Sequence, residues 1–421
     1  MTGIRFIHCS DLHIDSPLKR ISAIDSATGA LLQEATYQSF NNIINLAITE
    51  RVDCVLISGD IYDSANKSLR AQLRFRDGLV RLSNEGIPAH VVHGNHDPLN
   101  SWSSKLNWPS NVFIFPGDRV ECFPLIKNKE VVAQICGISF AKRDIYDNLA
   151  LRFPSNREHV PRIGLLHTNA GANTGHEPYA PCTIADLSAT GVDYWALGHV
   201  HLHSILKSSS PAIVYPGCTQ STHPGETGEK GCCLVELEPS GEANIRFVPT
   251  DSVRFKSDSL DISTCSSIDD VISGIIRRGE EILAAMSNRH VVLRLSLVGR
   301  SELHSELIRG NTVDELEERV RGHFEGRVPY LWLERLALNT AGTYDLQVLR
   351  KGDDFIADII SISDRLEDPQ GEYWQAIQDR LSILFSSWQG QKYLNKISQS
   401  DLMALAEGAR NSILDRLIGA E

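Results

Sequence analysis

Five short segments rich in metal-binding side chains follow one another along the first half of the chain. They read Asp11-Leu-His13, Gly59-Asp60-Ile-Tyr-Asp63, Gly94-Asn95-His96-Asp97, a lone His167 closing an apolar run, and Gly198-His199-Val-His201. Asp-x-His and His-x-His are common singly, so the ordered set carries the signal. Mixed oxygen and imidazole donors suit Mn²⁺, iron or Zn²⁺ better than Mg²⁺ or Ca²⁺. One ion takes Asp11, His13, Asp60 and His201 in this reading. The other takes Asp60, Asn95, His167 and His199, with Asp60 as the bridge. Two cations roughly 3.5–4 Å apart deprotonate a bridging water near neutral pH. That hydroxide attacks phosphorus in line while the metals hold the phosphoryl charge. The chemistry indicated is hydrolysis of a phosphate ester.

The neighbouring residues sort around this centre. His96 is not needed as a ligand, and is placed to contact a phosphate oxygen or to protonate the leaving alkoxide. Asp63 follows Asp60 closely enough to lie near the site without binding metal. An Asp–His hydrogen bond there would fix the imidazole and raise its pKa. Asp97 reads as support for its turn, His8 and His93 as packing residues at strand ends. His203 continues the alternation after His201 and points the same way.

Each motif ends a strand-like run. Ile4 to Ile7 precedes Asp11, Cys54 to Ile57 precedes Asp60, and Ala89 to Val92 precedes Asn95. Ile163 to Leu166 precedes His167, and Tyr194 to Leu197 precedes His199. Short apolar runs bounded by turn residues read as buried strands. Ligands at their carboxyl ends converge on one sheet edge, where open α/β folds bind ligands. Gly59, Gly94 and Gly198 fit tight turns at the strand exits. Helical patterns over Leu31–Glu50 and Ser68–Ser83 separate the first three strands, and strands dominate after Val112. The fold class is α/β: a two-sheet α/β sandwich with helices outside.

Residues 252–340 change character. Helical runs at Ile268–Ala285 and Thr312–Phe324 intersperse with alternating strands at Val291–Val298 and Tyr330–Leu338, which predicts a small α+β cap domain. Ala341-Gly342-Thr343 marks a hinge. Beyond it the patterns are helical: Phe355–Leu366, Glu372–Trp388 and Asp401–Leu417. Trp374, Ile377, Leu381, Leu384, Phe385 and Trp388 share one helix face, which either packs on the chain or docks a partner. The expected domains are 1–250 (catalytic), 251–341 (cap) and 342–421 (helical C-terminal region).

Composition sets limits on these readings. The chain has 421 residues and a net charge of −12. Residues 1–250 carry 21 Lys+Arg against 25 Asp+Glu, and residues 251–421 carry 20 against 28. Bound cations offset acids in the first part, so a polyanionic substrate is not excluded. Extended nucleic-acid contact must be local, or shared with a more basic partner. One basic cluster, Lys67, Arg70, Arg74, Arg76 and Arg81, lies on the helix after Asp63; Lys67, Arg70 and Arg74 are its candidates for DNA contact. Lys142-Arg143 is a second. No apolar run reaches transmembrane length, and the N-terminus has no signal-peptide pattern. Nine cysteines without Cys-x-x-Cys argue against a zinc ribbon or a disulfide framework and for a reducing, cytoplasmic setting.

These motifs resemble the calcineurin-like metallophosphoesterases. Phe6-Ile-His-Cys-Ser-Asp-Leu-His-Ile-Asp-Ser-Pro17, Tyr194-Trp-Ala-Leu-Gly-His-Val-His201 and Tyr215-Pro-Gly217 resemble more specifically the SbcD/YhaO type of bacterial DNA repair exonuclease. The resemblance implies Mn²⁺-dependent nuclease activity on DNA with two divalent metal ions on the residues above. It implies His96 as the catalytic histidine, paired with Asp63. It also implies a homodimer, and a coiled-coil ATPase partner of the SbcC/YhaN type bound through the C-terminal helices. His93 before Gly94 departs from the usual pattern. Two other readings stay open at this point: a phosphoesterase acting on nucleotides or phosphoproteins, and a subunit that mainly positions the ATPase.

Overall fold

A computed structural model describes residues 3–16, 26–63, 68–155, 160–171, 178–366, 371–386 and 398–418. Lys67 and Trp388 lie outside the described residues. The chain falls into two compact units, Met1–Phe255 and Lys256–Glu421.

The first unit is a two-sheet sandwich. Its strands are β1 (Ile4–Cys9), β2 (Cys54–Ser58), β3 (Ala89–Val92), β4 (Val112–Ile114), β5 (Glu121–Lys127), β6 (Glu130–Ile138), β7 (Arg162–His167), β8 (Tyr194–Gly198), β9 (Ser204–Lys207), β10 (Ala212–Tyr215), β11 (Gly231–Leu237) and β12 (Ala243–Pro249). One sheet runs β12-β11-β1-β2-β3-β4 and the other β5-β6-β7-β8-β10-β9. β1 to β4 are mutually parallel, as are β6, β7, β8 and β10. β4 is a parallel edge, and antiparallel strands close the other edges, at β11 and β12, β5 and β9.

Parallel strands covered on both faces need apolar residues on both, and the sequence supplies them. In β2, Cys54 and Leu56 face the second sheet, where they meet Ile163, Leu165, Tyr194 and Ala196. Val55 and Ile57 face outward with Phe40, Ile44, Phe75 and Leu79, carried by helices α1 (Ser26–Thr49) and α2 (Leu69–Asn84). The outer face of the second sheet buries Ile138, Phe140, Leu166, Trp195 and Tyr215.

Polar stitches join the two sheets near the carboxyl ends of their strands. The Ser58 hydroxyl donates to the Ala196 carbonyl at 2.9 Å. His8 on β1 spans Tyr194 Oη and the Leu197 carbonyl, each at 3.1 Å. His8 is thus buried packing with a polar function, and its burial pushes its pKa down to about 3.

Cys122 and Cys136 are register partners on β5 and β6 and are joined by a disulfide, while the other seven cysteines are free. The sequence reading argued against a disulfide framework, and a single bridge beside seven free thiols is not one. The 14-residue separation of Cys122 and Cys136 carries no signature; strand pairing alone brings them together.

The second unit holds the sheet β13 (Val253–Asp261), β14 (His290–Arg300), β15 (Leu331–Ala341) in that order. β14 and β15 are parallel. Helices Ile268–Ala285 and Thr312–Phe324 lay Ile275, Ile282, Leu316, Val320 and Phe324 on its apolar face. Helices Phe355–Leu366, Glu372–Ser386 and Gln399–Ile418 follow. The last one packs on β15 and on Phe355–Leu366. Its Asp415 accepts from the Gly342 backbone at 2.9 Å and meets His304 at 3.1 Å, so the expected hinge is tied down. Trp374 is buried, whereas Ile383 and Leu384 on the same helix are exposed. No helix among the described residues is long and apolar enough to cross a membrane.

The tightest approach in the sandwich is at Gly198, where an added Cβ would lie 1.9 Å from the Ser58 carbonyl oxygen. That oxygen belongs to a central strand and cannot step aside. Gly198→Ala is expected to cost about 3 kcal/mol, the upper part of the overpacking range. Thermal unfolding would show it as a fall of several degrees, and an unchanged Tm would show that the sheets separate easily.

Candidate metal centre

The residues following β1, β2 and β3 in one sheet, and those ending β7 and following β8 in the other, meet at one edge of the sandwich. Their backbone is unusual. Asp11, His13, Asp60 and His199 all have positive φ, at 52°, 43°, 51° and 105°. Such values are uncommon outside glycine and are a hallmark of functional loops. Ladder-like bonds hold them: Asp11 N to the Gly59 carbonyl at 3.0 Å, His13 N to the Asp60 carbonyl at 3.1 Å, and Ile14 N to the Ile61 carbonyl at 2.9 Å. Asp97, fully buried, accepts from Gly94 N at 2.8 Å and from Ile61 N at 3.0 Å. It clamps two ligand-bearing turns together, the supporting role its position suggested. His93 lies 3.1 Å from the same carboxylate.

Gly59 alone of the three motif glycines needs its positive φ, 96°. Gly94 and Gly198 are required by crowding. A Cβ at Gly94 would lie 2.3 Å from Asp60 Oδ1, and one at Gly198 would lie 2.9 Å from His167 Nδ1.

The donors form two groups. Asp11, His13 and His201 place ligand atoms within 4.8 Å of one another, and so do Asp60, His167 and His199. His199 N donates to Asp11 Oδ2 at 3.1 Å and joins the groups. Asn95 Oδ1 lies 2.9 Å from His167 Nε2, and Asp60 Oδ2 lies 3.3 Å from the same nitrogen. All seven predicted ligands are therefore assembled. The Asp60 carboxylate belongs to the second group, and its bridging role stays a proposal.

A metal fits these donors on two grounds. Asp11 Oδ1 and His13 Nε2 are buried without a hydrogen-bond partner, which native structures rarely tolerate. Donor spacings within 4.8 Å match a cation about 2.0–2.2 Å from each oxygen or nitrogen. Two of the histidines are also oriented as ligands. His167 Nδ1 lies 2.9 Å from the Ser58 carbonyl, and His201 Nδ1 lies 2.6 Å from Glu226 Oε1. Each frees Nε2 for the site. Glu226 escaped the sequence reading. It sits 25 residues beyond His201 in a polar loop without a motif.

His96 lies at the edge of the cluster, its ring 5.1 Å from that of His13. Its Nδ1 is 3.6 Å from Asp63. That carboxylate, against the opposing effect of burial, holds the His96 pKa above its usual value, with Asp60 adding to it. The basic helix is different. Arg70 pairs with Asp15, and Arg74 pairs with Glu34 at 2.8 Å while lying over the Tyr37 ring. Arg76 pairs with Asp77. The expected cationic stripe is largely compensated within the fold.

Sequence comparison agrees with this geometry. The profile for calcineurin-like phosphoesterases matches residues 4–203, and that for the middle domain of metallophosphoesterase YhaO matches residues 255–341. The chain is 31% identical over 418 residues to the uncharacterised metallophosphoesterase YhaO of Bacillus subtilis, spanning 97% of each. The chain belongs to the YhaO branch of the calcineurin-like metallophosphoesterases. It is also 27% identical over 226 residues to the DNA double-strand break repair protein Mre11 of Sulfurisphaera tokodaii, covering 51% of this chain and 53% of that protein. Mre11 of Sulfolobus acidocaldarius is 26% identical over 210 residues, covering 47% and 50%. Family membership makes the chain a metal-dependent hydrolase working with divalent cations.

Without metal, burial lowers the pKa of His167, but the charge and hydrogen bond of Asp60 outweigh it and raise the ring to about 9. Burial likewise lowers His201, and Glu226 with Asp11 raises it to about 8. Both values are raised. Their stabilisation of the metal-free fold is therefore complete below about pH 6.5 and is lost as pH rises through 8 and 9. Both rings are protonated at pH 7, and a cation must displace those protons. Calorimetric titration with Mn²⁺ at pH 7 in buffers of different ionisation enthalpy should show release of about one to two protons, with affinity rising towards pH 9. Binding without proton release would show that both rings are already neutral in the metal-free protein.

Proposed function

We propose that this protein is a DNA nuclease: a phosphodiesterase of DNA repair type, using two divalent ions, most suitably Mn²⁺. The observation that carries the reading is the pair of donor groups, Asp11/His13/His201 and Asp60/His167/His199, at one sandwich edge. The similarity to Mre11 proteins favours DNA as the substrate. When bound, the cations neutralise phosphoryl oxygens and acidify the attacking water.

The chain's own residues do the rest. Asp60 belongs to the second group and is the residue proposed to bridge; against the opposing effect of burial, His167 chiefly, with His96 and His13, favours its ionised form. His201 is held in one tautomer by Glu226 and His167 by Ser58. His96 keeps its proton through Asp63 and delivers it to the leaving 3′ or 5′ oxygen. In this proposal residues 1–250 form the nuclease domain, 251–341 the cap and 342–421 a docking region for a coiled-coil ATPase of SbcC/YhaN type, within a homodimer. Ile383 and Leu384, exposed on helix Glu372–Ser386, support a docking role.

End-labelled single- and double-stranded DNA incubated with Mn²⁺ should be shortened, and a small phosphodiester cleaved. Cleavage of mononucleotides alone would favour the nucleotide phosphoesterase instead. His96→Ala should retain both metals and lose roughly 10²–10⁴-fold in rate, and Asp63→Asn should show a smaller loss. A metal-depleted His96→Ala would assign that ring to the ligands. On the tail, Ile383→Asp with Leu384→Asp should weaken ATPase binding about tenfold or more at unchanged Tm. Undiminished binding would remove this helix as the dock.

A further inference from the structure

The loops around the metal centre differ in what they expose. Most rim charges are paired, as the Arg70–Asp15 and Arg74–Glu34 contacts show. The loop after β6 is an exception. Lys142 and Arg143 are exposed there, and among the described residues neither takes part in an ion pair. Asp144 beside them is exposed too, while Asp147 is engaged with Arg152 at 3.4 Å. Three residues past Arg143, Tyr146 is 61% exposed.

Tyr146 is not a random surface ring. The Ala180 amide donates to the Ile145 carbonyl at 2.7 Å and pins this loop to the segment that carries Tyr179. The Tyr146 ring stacks on Tyr179, with centroids 6.2 Å apart and planes 23° apart. Tyr179, only 7% exposed, meets His199 edge-on at 5.8 Å. An exposed aromatic face is therefore held two ring contacts from a candidate metal ligand. The loop after Asp97 joins the same rim. Leu99 N and Asn100 N donate to the Phe140 and Ala141 carbonyls at 2.9 and 3.2 Å. This tethers the loop carrying the exposed Trp102 to the residues just before Lys142.

We propose that Tyr146 is a substrate-positioning residue on which an unpaired base stacks, with Lys142 and Arg143 contacting the adjoining phosphates. The inference rests on the nuclease reading and specifies its substrate as a strand with unpaired bases next to the cut phosphodiester. Cationic side chains flanking an aromatic platform are the means by which proteins track single strands, because every base has a π-face while duplex bases are already stacked. Tyr179 fixes one face of Tyr146, so ordering the platform costs little side-chain entropy. The pair Arg70 and Arg74, spent on Asp15 and Glu34, cannot take this role without breaking those contacts.

The test compares two single-stranded DNA oligonucleotides in Mn²⁺ with the full chain, one native and one carrying abasic sites along the strand. Binding is followed by fluorescence anisotropy and cleavage by end-label. The parent protein should prefer the native strand by roughly tenfold in KM. That preference should collapse in Tyr146→Ala, survive in Tyr146→Trp and be lost in Tyr146→Leu, which keeps bulk without a π-face. Lys142→Ala with Arg143→Ala should weaken both strands alike and flatten the salt dependence. A parent preference that Tyr146→Ala leaves intact overturns the proposal. So does a fall in kcat on both strands at constant KM, which would mean Tyr146 acts through Tyr179 on His199. If the parent neither binds nor cuts either strand, the nuclease reading itself fails, a result distinct from both.

Discussion

Everything at the candidate centre depends on how closely two sheets can approach at the carboxyl ends of β2, β7 and β8. His167 is the pivot. Its Nδ1 binds the Ser58 carbonyl on the opposite sheet, and Gly59, Gly94 and Gly198 all leave out a Cβ that would strike its ring. Burying an imidazole completely is unfavourable unless both nitrogens are engaged. Here one is tied to backbone and the other faces Asn95 and Asp60. The glycines are thus consequences of one buried ring, as much as turn formers.

Around this pivot the chain accepts backbone strain at four ligand residues and offsets it with hydrogen bonds from neighbouring turns. Non-glycine residues in such regions cost of order 1–3 kcal/mol each. The compensation comes from fully buried groups: the Asp97 carboxylate across two turns, and the parallel ladder that the β1 and β2 exits continue as far as Ile14 and Tyr62. Rigid loops follow from this arrangement. A metal ligand set that is pre-formed needs little reorganisation when a cation arrives.

Much of this was legible in the sequence because the signals were local. Each candidate ligand closes or follows a strand whose two-sided burial demands a continuous apolar run, so motif and strand announce each other. Helices Ile268–Ala285 and Thr312–Phe324 of the second unit were equally plain, with acidic first turns and apolar faces at helical spacing. What remained hidden was every partner set by distance in space. Glu226 meets His201 only because β10 and the loop after it return past the site. Asp15 pairs with both Arg70 and Arg74, so a row of arginines that looks free on a helical wheel is committed. Cys122 and Cys136 face each other through strand register. The Tyr146–Tyr179–His199 ring series crosses three loops, and no spacing rule relates them.

The allocation of donors between the sheets has a mechanical meaning. Asp11 and His13 come from one sheet and His201 from the other; Asp60 comes from the first, and His167 and His199 from the second. Neither group can be completed by a single sheet. A cation held by either group would act as a rivet through the sandwich, its binding energy resisting the shearing or parting of the layers. Chelation would loosen the wall of the molecule as well as stop its chemistry, and the apparent melting point would track the free metal concentration by mass action.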